Sequence, residues 1–121
     1  MFEENTVKYK SFQFALRIIK AYKFLNSEQR EFILSKQLLR SGTSIGALIR
    51  EAEHAESKAD FIHKMNISLK EANETEYWLM LLYESNYIEE KVYKSIIEDC
   101  QELIKMLVSI IKTTKSSIKK P

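Results

Sequence analysis

Breakers of regular structure are nearly missing from this chain: its 121 residues include only two glycines and a single proline, which is the last residue. The tight turns of a β-sheet fold have almost no raw material, and helices joined by short polar loops remain. Cysteine is scarce too. Cys100 stands alone, which excludes an intramolecular disulfide, suits a reducing compartment and reads as a buried, inert thiol. No apolar stretch approaches the length of a membrane span, and the start Met1-Phe2-Glu3-Glu4-Asn5 lacks the basic residues and apolar run of a signal peptide. A cytoplasmic location without membrane contact is therefore expected.

What is present points to one folded domain over residues 1–121. Apolar residues make up 45% and charged residues 30%, far from the composition of disorder, and the length suits a single core with no separate catalytic domain. The net charge of +2 hides a segregation. Residues 1–50 carry nine Lys/Arg against four acids, residues 51–104 five against thirteen, and residues 105–121 five against none. If the first and last helices pack side by side, their charges form one positive face able to meet phosphate; alternatively, the opposite charges pair across the bundle or between subunits.

Apolar periodicity predicts helices over about 6–25, 28–53, 58–84 and 89–114. Asn5 is the expected cap of the first, whose apolar stripe is read as Phe12, Leu16, Ile19 and Tyr22, widened by Ala15 and Ile18. Its polar side is wholly basic, with Lys8, Lys10, Arg17, Lys20 and Lys23. Ser27 and Glu28 read as the start of the second helix. That helix holds both glycines, Gly42 and Gly46, one turn apart. Each is unfavourable by about 1 kcal/mol relative to alanine inside a helix, so close approach of a neighbouring helix is expected to compensate. Ser57-Lys58-Ala59-Asp60 has the form of a capping box for the third helix. The fourth has a seam of Val92 or Tyr93, Ile96, Cys100, Leu103, Leu107 and Ile110 or Ile111, and Lys115 to Pro121 should fray. Short loops make sequence neighbours antiparallel, so the fold class is all-α, an antiparallel up-down four-helix bundle. Apolar residues beyond one stripe, among them Phe14, Phe24, Phe32, Tyr83, Met106 and Val108, exceed what one bundle covers and suggest a symmetric homo-oligomer.

Two stretches carry a family likeness. The run Leu34-Ser35-Lys36-Gln37-Leu38-Leu39-Arg40-Ser41-Gly42-Thr43-Ser44-Ile45-Gly46 with Ile49-Arg50-Glu51-Ala52 resembles the four helix bundle protein family. So does Ser57-Lys58-Ala59-Asp60-Phe61 with Leu69-Lys70-Glu71-Ala72-Asn73-Glu74-Thr75-Glu76-Tyr77-Trp78-Leu79, and the likeness extends from Ser11 to Thr113. That family is also called the intervening-sequence protein, because members are encoded inside insertions in large-subunit ribosomal RNA genes of some bacteria. The resemblance implies a bundle that assembles into a barrel-like homopentamer. It also implies kinship with the accessory protein of diversity-generating retroelements, a basic oligomer that binds nucleic acid and a reverse transcriptase. Leu48 stands where the family pattern has Asn, which removes any polar task from that position.

Candidate sites follow from these placements. Arg40, Arg50 and Glu51 on the second helix can bridge to Glu71 and Glu74 on the third, either to fix register or a subunit contact or to bind a ligand. Glu51-x-x-His54 and Asp60-x-x-His63 mimic the spacing of carboxylate-bridged di-iron bundles. Both lie at helix ends flanking one loop, and the first helix has no acid after Glu4 to bridge a metal, so neither metal nor cofactor is expected. No Ser/His/Asp order and no glycine-rich phosphate loop occurs, so no enzyme is read here. For RNA or DNA the candidates are Lys8, Lys10, Arg17, Lys20 and Lys23 with Lys112, Lys115, Lys119 and Lys120; such a patch holds phosphates without reading bases. The competing expectation is a protein-interaction scaffold with no nucleic-acid role.

Overall fold

In the computed structural model, which describes residues 6–119 (for Lys119 the backbone alone), four helices account for most of the described residues: α1 Val7–Ser27, α2 Leu34–Glu53, α3 Lys58–Glu84 and α4 Glu90–Lys119. Each packs on the next and α1 also packs on α4, while α1 and α3 make no close backbone contact among the described residues. The interior is one continuous cluster that includes Phe14, Ile18, Leu38, Ile45, Leu79 and Leu107.

The start of α1 is capped by Thr6, whose hydroxyl accepts from the Tyr9 N–H at 3.1 Å; Asn5, the expected cap, lies outside the described residues. The expected apolar stripe is corrected. The core side of α1 is Ser11, Phe14, Ile18 and Leu25, whereas Phe12 and Leu16 are exposed and Ile19 and Tyr22 half-buried. Both sets obey the 3.6-residue period, so periodicity establishes the helix without choosing between its two apolar sides.

The junction between α1 and α2 also departs from expectation. Ser27 is the last residue of α1, donating to the Lys23 carbonyl at 2.9 Å, and α2 starts at Leu34 rather than near residue 28. The capping group is instead the buried Glu31 carboxylate, which accepts from the N–H groups of Ile33, Leu34 and Ser35 at 3.3, 3.0 and 2.7 Å. These are amides that an α-helix leaves without internal partners, and a negative charge there also suits the positive end of the helix dipole. Arg30, at φ 54°, reverses the chain just before this cap. The Glu31 N–H donates back to the Leu25 carbonyl at 2.9 Å, pinning the loop to α1.

The α1–α2 contact is close enough to exclude a methyl group. A Cβ on Gly42 would lie 2.7 Å from Ile18 Cγ1, and one on Gly46 would lie 3.1 Å from Ser11 Oγ. Glycine there allows the backbone approach that offsets its weak helix propensity. Helix α3 is capped by Ser57, which accepts from the Asp60 N–H at 3.1 Å, and the Asp60 carboxylate reaches back to the Glu56 N–H at 3.2 Å. At the far end of the chain, α4 runs on to Lys119 where fraying from Lys115 was expected. Ser117 ties its last turns down, donating to the Thr114 carbonyl at 2.8 Å and accepting from Lys58 Nζ at 3.0 Å. In the α4 seam Ile96, Cys100, Leu103, Leu107 and Ile111 are buried, while Val92 is exposed and Tyr93 half-buried against the core.

Candidate nucleic-acid interface

The basic side of α1 does not stand clear of acid. Arg17 pairs with Asp99 at 2.7 Å and Lys10 with Glu102 at 2.8 Å, both across the contact with α4, and Lys8 pairs with Glu53 of α2 at 2.8 Å. A proton bound at the Glu53 carboxylate would compete with the hydrogen bond from Lys8, which more than offsets partial desolvation and holds its pKa below the usual value; the charges of Lys8, His54 and Arg50 act in the same direction. Each such surface pair adds little to stability, because water and salt screen it, yet it cancels the local field that would attract phosphate.

The remaining cations divide between the two ends of the molecule. Moving along α1 from Lys10 to Arg17, the partners on α4 run backwards from Glu102 to Asp99. Lys20 and Lys23 therefore lie toward the beginning of α4, and Lys112 and Lys115 lie toward the beginning of α1. All four side chains are exposed and have no carboxylate partner among the described residues. Lys120 and the side chain of Lys119 lie outside the described residues. Instead of one continuous face, α1 and α4 present two separate basic clusters with ion pairs between them. Lys58, brought to the α4 terminus by its bond to Ser117, joins Lys112 and Lys115 at their end.

Near Lys20 a cleft of about 720 Å³ opens between the last turns of α1 and the start of α4, lined in part by Arg17, Lys20, Phe24, Tyr87, Val92 and Ile96. A shallower groove of about 450 Å³ lies on the outer side of α3, lined by Asn66, Leu69, Lys70, Asn73, Glu74 and Tyr77.

Between α2 and α3 the predicted polar residues are partly assembled. Arg40 donates to Glu71 at 3.2 Å and to Glu74 at 2.9 Å. Arg50 and Glu51 do not join them: both are exposed, nearly three turns further along α2. Beneath the Arg40 pairs runs a set of buried hydroxyls that sequence reasoning missed. Thr75 Oγ1 lies 2.9 Å from Ser41 Oγ and 2.8 Å from the Glu71 carbonyl, and Ser68 donates to the Ile45 carbonyl at 2.9 Å. Their signal in the sequence is small polar residues at core positions of a helical period, at Ser41 beside Leu38 and Ile45 and at Ser68 and Thr75 around Ala72.

Nothing in these arrangements activates a nucleophile. Cys100 is fully buried, its thiol faces the Ala72 carbonyl at 3.4 Å, and burial pushes its pKa up to about 12, with Glu76 and Asp99 adding to the shift. The thiolate, which is the reactive form, is therefore negligible at neutral pH. His54 and His63 are both exposed, and Asp60 pairs with Lys64 at 3.6 Å. Among the described residues no three His, Cys, Asp or Glu side chains gather as a metal site, and no helix is long and apolar enough to cross a membrane.

Comparison with known proteins adds a family to this geometry. Residues 3–109 match a family model described as 23S rRNA-intervening sequence protein. A crystal structure at 1.70 Å of a protein of unknown function from the S23 ribosomal protein family, from Bacteroides thetaiotaomicron VPI-5482, is 64% identical. The alignment covers 88% of this chain and 99% of that one, with a TM-score of 0.88. No curated protein matches.

Proposed function

The chain belongs to the 23S rRNA-intervening sequence protein family, and we propose that it acts there as a non-catalytic, self-associating helical bundle that holds RNA or DNA through lysines at its ends. The architecture adopted for this reading is antiparallel and up-down, the order in which Lys8 meets Glu53, Arg40 meets Glu74 and Lys58 meets Ser117. The observation that carries the nucleic-acid reading is the exposure of Lys20, Lys23, Lys112 and Lys115 without carboxylate partners among the described residues. Ammonium groups so placed contact phosphates without reading bases, so affinity falls steeply with salt and depends little on sequence. Copies joined in a symmetric assembly, five by family resemblance, multiply weak contacts into avidity. A nucleic-acid enzyme such as a reverse transcriptase is the partner that the same resemblance favours, in the cytoplasm.

A protein-interaction scaffold without a nucleic-acid role is the second reading. It is favoured by the pairing of Lys8, Lys10 and Arg17 with acids. Titration of a structured RNA at about 50 and 200 mM salt separates the two. Binding at the lower salt that weakens at least tenfold at the higher, and that drops in both a Lys20→Glu/Lys23→Glu variant and a Lys112→Glu/Lys115→Glu variant, is the expected result. No binding at the lower salt would leave only the scaffold.

A further inference from the structure

Between the last turns of α1 and the start of α4 the bundle leaves space that its side chains do not fill. Beyond Arg17–Asp99 no ion pair joins the two helices among the described residues, and the α1 wall there includes the small Ala21. The cleft of about 720 Å³ falls within the range of small-ligand pockets, about 300–1,000 Å³. Its floor is the buried Leu25, Ile88 and Ile96; its walls include Phe24 and Val92, 44% and 42% exposed, and the half-buried Tyr87. The loop before α4 holds this shape, because Asn86 at φ 68° turns the chain and the Tyr87 N–H donates to the Leu82 carbonyl at 2.9 Å.

The polar groups of the cleft are exposed or half-buried, at its mouth, and they differ between its two sides. On the α1 side Lys20 has no carboxylate partner among the described residues, and Lys23 follows one turn on. On the α4 side Glu90 is engaged by the Tyr83 hydroxyl at 3.2 Å and by Lys94 at 3.3 Å, while Glu89 is exposed. The side-chain amides of Gln29 and Asn86 also stand at the mouth, exposed and without hydrogen-bond partners among the described residues. Lys20 and Phe24 are four residues apart on one side of α1, with about 5–6 Å between their Cβ atoms. That is close to the separation of a phosphate from the base it carries.

These features fit one kind of occupant. An anion with an aliphatic body would use Lys20 and the apolar walls but leave both amides without partners. A nucleobase offers a flat π-face to Phe24 and Tyr87 and a polar edge to Gln29 and Asn86, whose amides both donate and accept. We propose that the cleft takes one unpaired base of a single-stranded nucleic acid, with the phosphates of the strand along Lys20 and Lys23. The inference rests on the nucleic-acid reading above and adds to it a discrimination between strand and duplex at this end of the bundle. Glu89 repels phosphate from the α4 side, which keeps the backbone of the strand on α1. A base already paired in a duplex does not present its face, so a duplex meets the lysines alone.

The test titrates the full chain at about 50 mM salt with a single-stranded oligouridylate, a strand of the same length and charge that lacks bases, and a duplex RNA. The oligouridylate is expected to bind about tenfold more tightly than the baseless strand, the effect of one stacked base. Phe24→Ala removes the ring and Ala21→Leu fills the cleft. Each should lower oligouridylate affinity about tenfold, to that of the baseless strand, with duplex binding and helical circular dichroism unchanged. Phe24→Leu, which keeps bulk without a π-face, is read in the same way if Phe24→Ala loses helicity. Equal affinity for the strands with and without bases, or variants that hold oligouridylate as the wild type does, would overturn the base site while the lysine reading stands. A wild type that binds none of the probes removes the nucleic-acid reading itself, and this one with it.

Discussion

Helix α1 meets its two neighbours by opposite means. Against α2 it comes so close that Gly42 has no room for a methyl group beside Ile18, and Ser11 sits over Gly46. Against α4 it is held at the surface by Arg17–Asp99 and Lys10–Glu102, with a cleft of about 720 Å³ beyond them. A close contact at van der Waals distance is sensitive to a single added carbon, whereas exposed ion pairs adjust to substitution and are screened by salt. The comparison teaches that the rigidity of this bundle resides in the α1–α2 pair, and that the α1–α4 side is where it can yield.

The sharpest way to break that contrast is Gly42→Leu. Four added carbons against Ile18 should overpack the contact by about 3 kcal/mol and lower the melting temperature by about 10 °C, read by circular dichroism. An unchanged melting temperature would mean that the two helices separate easily, and the contrast would collapse. Glu31→Gln, at the junction of the same two helices, should have a smaller effect of about 1–2 kcal/mol at neutral pH, because a neutral amide replaces a charged acceptor of three N–H groups. Burial alone would raise the Glu31 pKa, but the hydrogen bonds from Leu34, Ser35 and Ile33 outweigh it and hold the carboxyl below its ordinary value of 4.5. The stabilisation is then fully present above about pH 4.5 and is lost as pH falls through the depressed folded value. Wild type and Glu31→Gln should accordingly converge in stability toward acid pH, which urea titrations at several pH values would show. The smallest effect is expected on the other side of α1. Arg17→Ala should destabilise by no more than about 1 kcal/mol, and by less still in 0.5 M salt. A loss as large as that of Gly42→Leu would reverse the assignment of rigidity.

The elements themselves were legible in the chain. Helix α3 begins and ends where its capping box and loop predict, at Lys58 and Glu84. Arg40 reaches Glu71 and Glu74 because side chains on sequential neighbouring helices meet at predictable heights. What stayed hidden depends on rotation about a helix axis and on long side chains bonding to backbone. Phe12 and Leu16 form as regular a stripe as Phe14 and Ile18, and only tertiary packing decides which of them turns inward. The start of α2 was misplaced because Ser27 and Glu28 have the chemistry of a cap, whereas the capping atom is a carboxylate on Glu31 whose use requires the reversal at Arg30. The charges allowed either one basic face or pairing with acids, and only the distances decide: Lys10 with Glu102 and Arg17 with Asp99 take the second course, leaving Lys20 and Lys23 apart from Lys112 and Lys115.

The buried hydroxyls between α2 and α3 bear on how this molecule tolerates change. Two aliphatic helix surfaces can slip past one another by a turn and find nearly equivalent packing, since oily contacts carry no direction. Ser41 with Thr75, and Ser68 with the Ile45 carbonyl, are directional at two heights, so a shifted alignment would strand polar atoms in an interior that cannot hydrate them. They work as a vernier between the helices. Drift in the surrounding aliphatic residues can therefore proceed over long spans of ancestry while the alignment of α3, and with it every contact that α3 offers outward, stays in place.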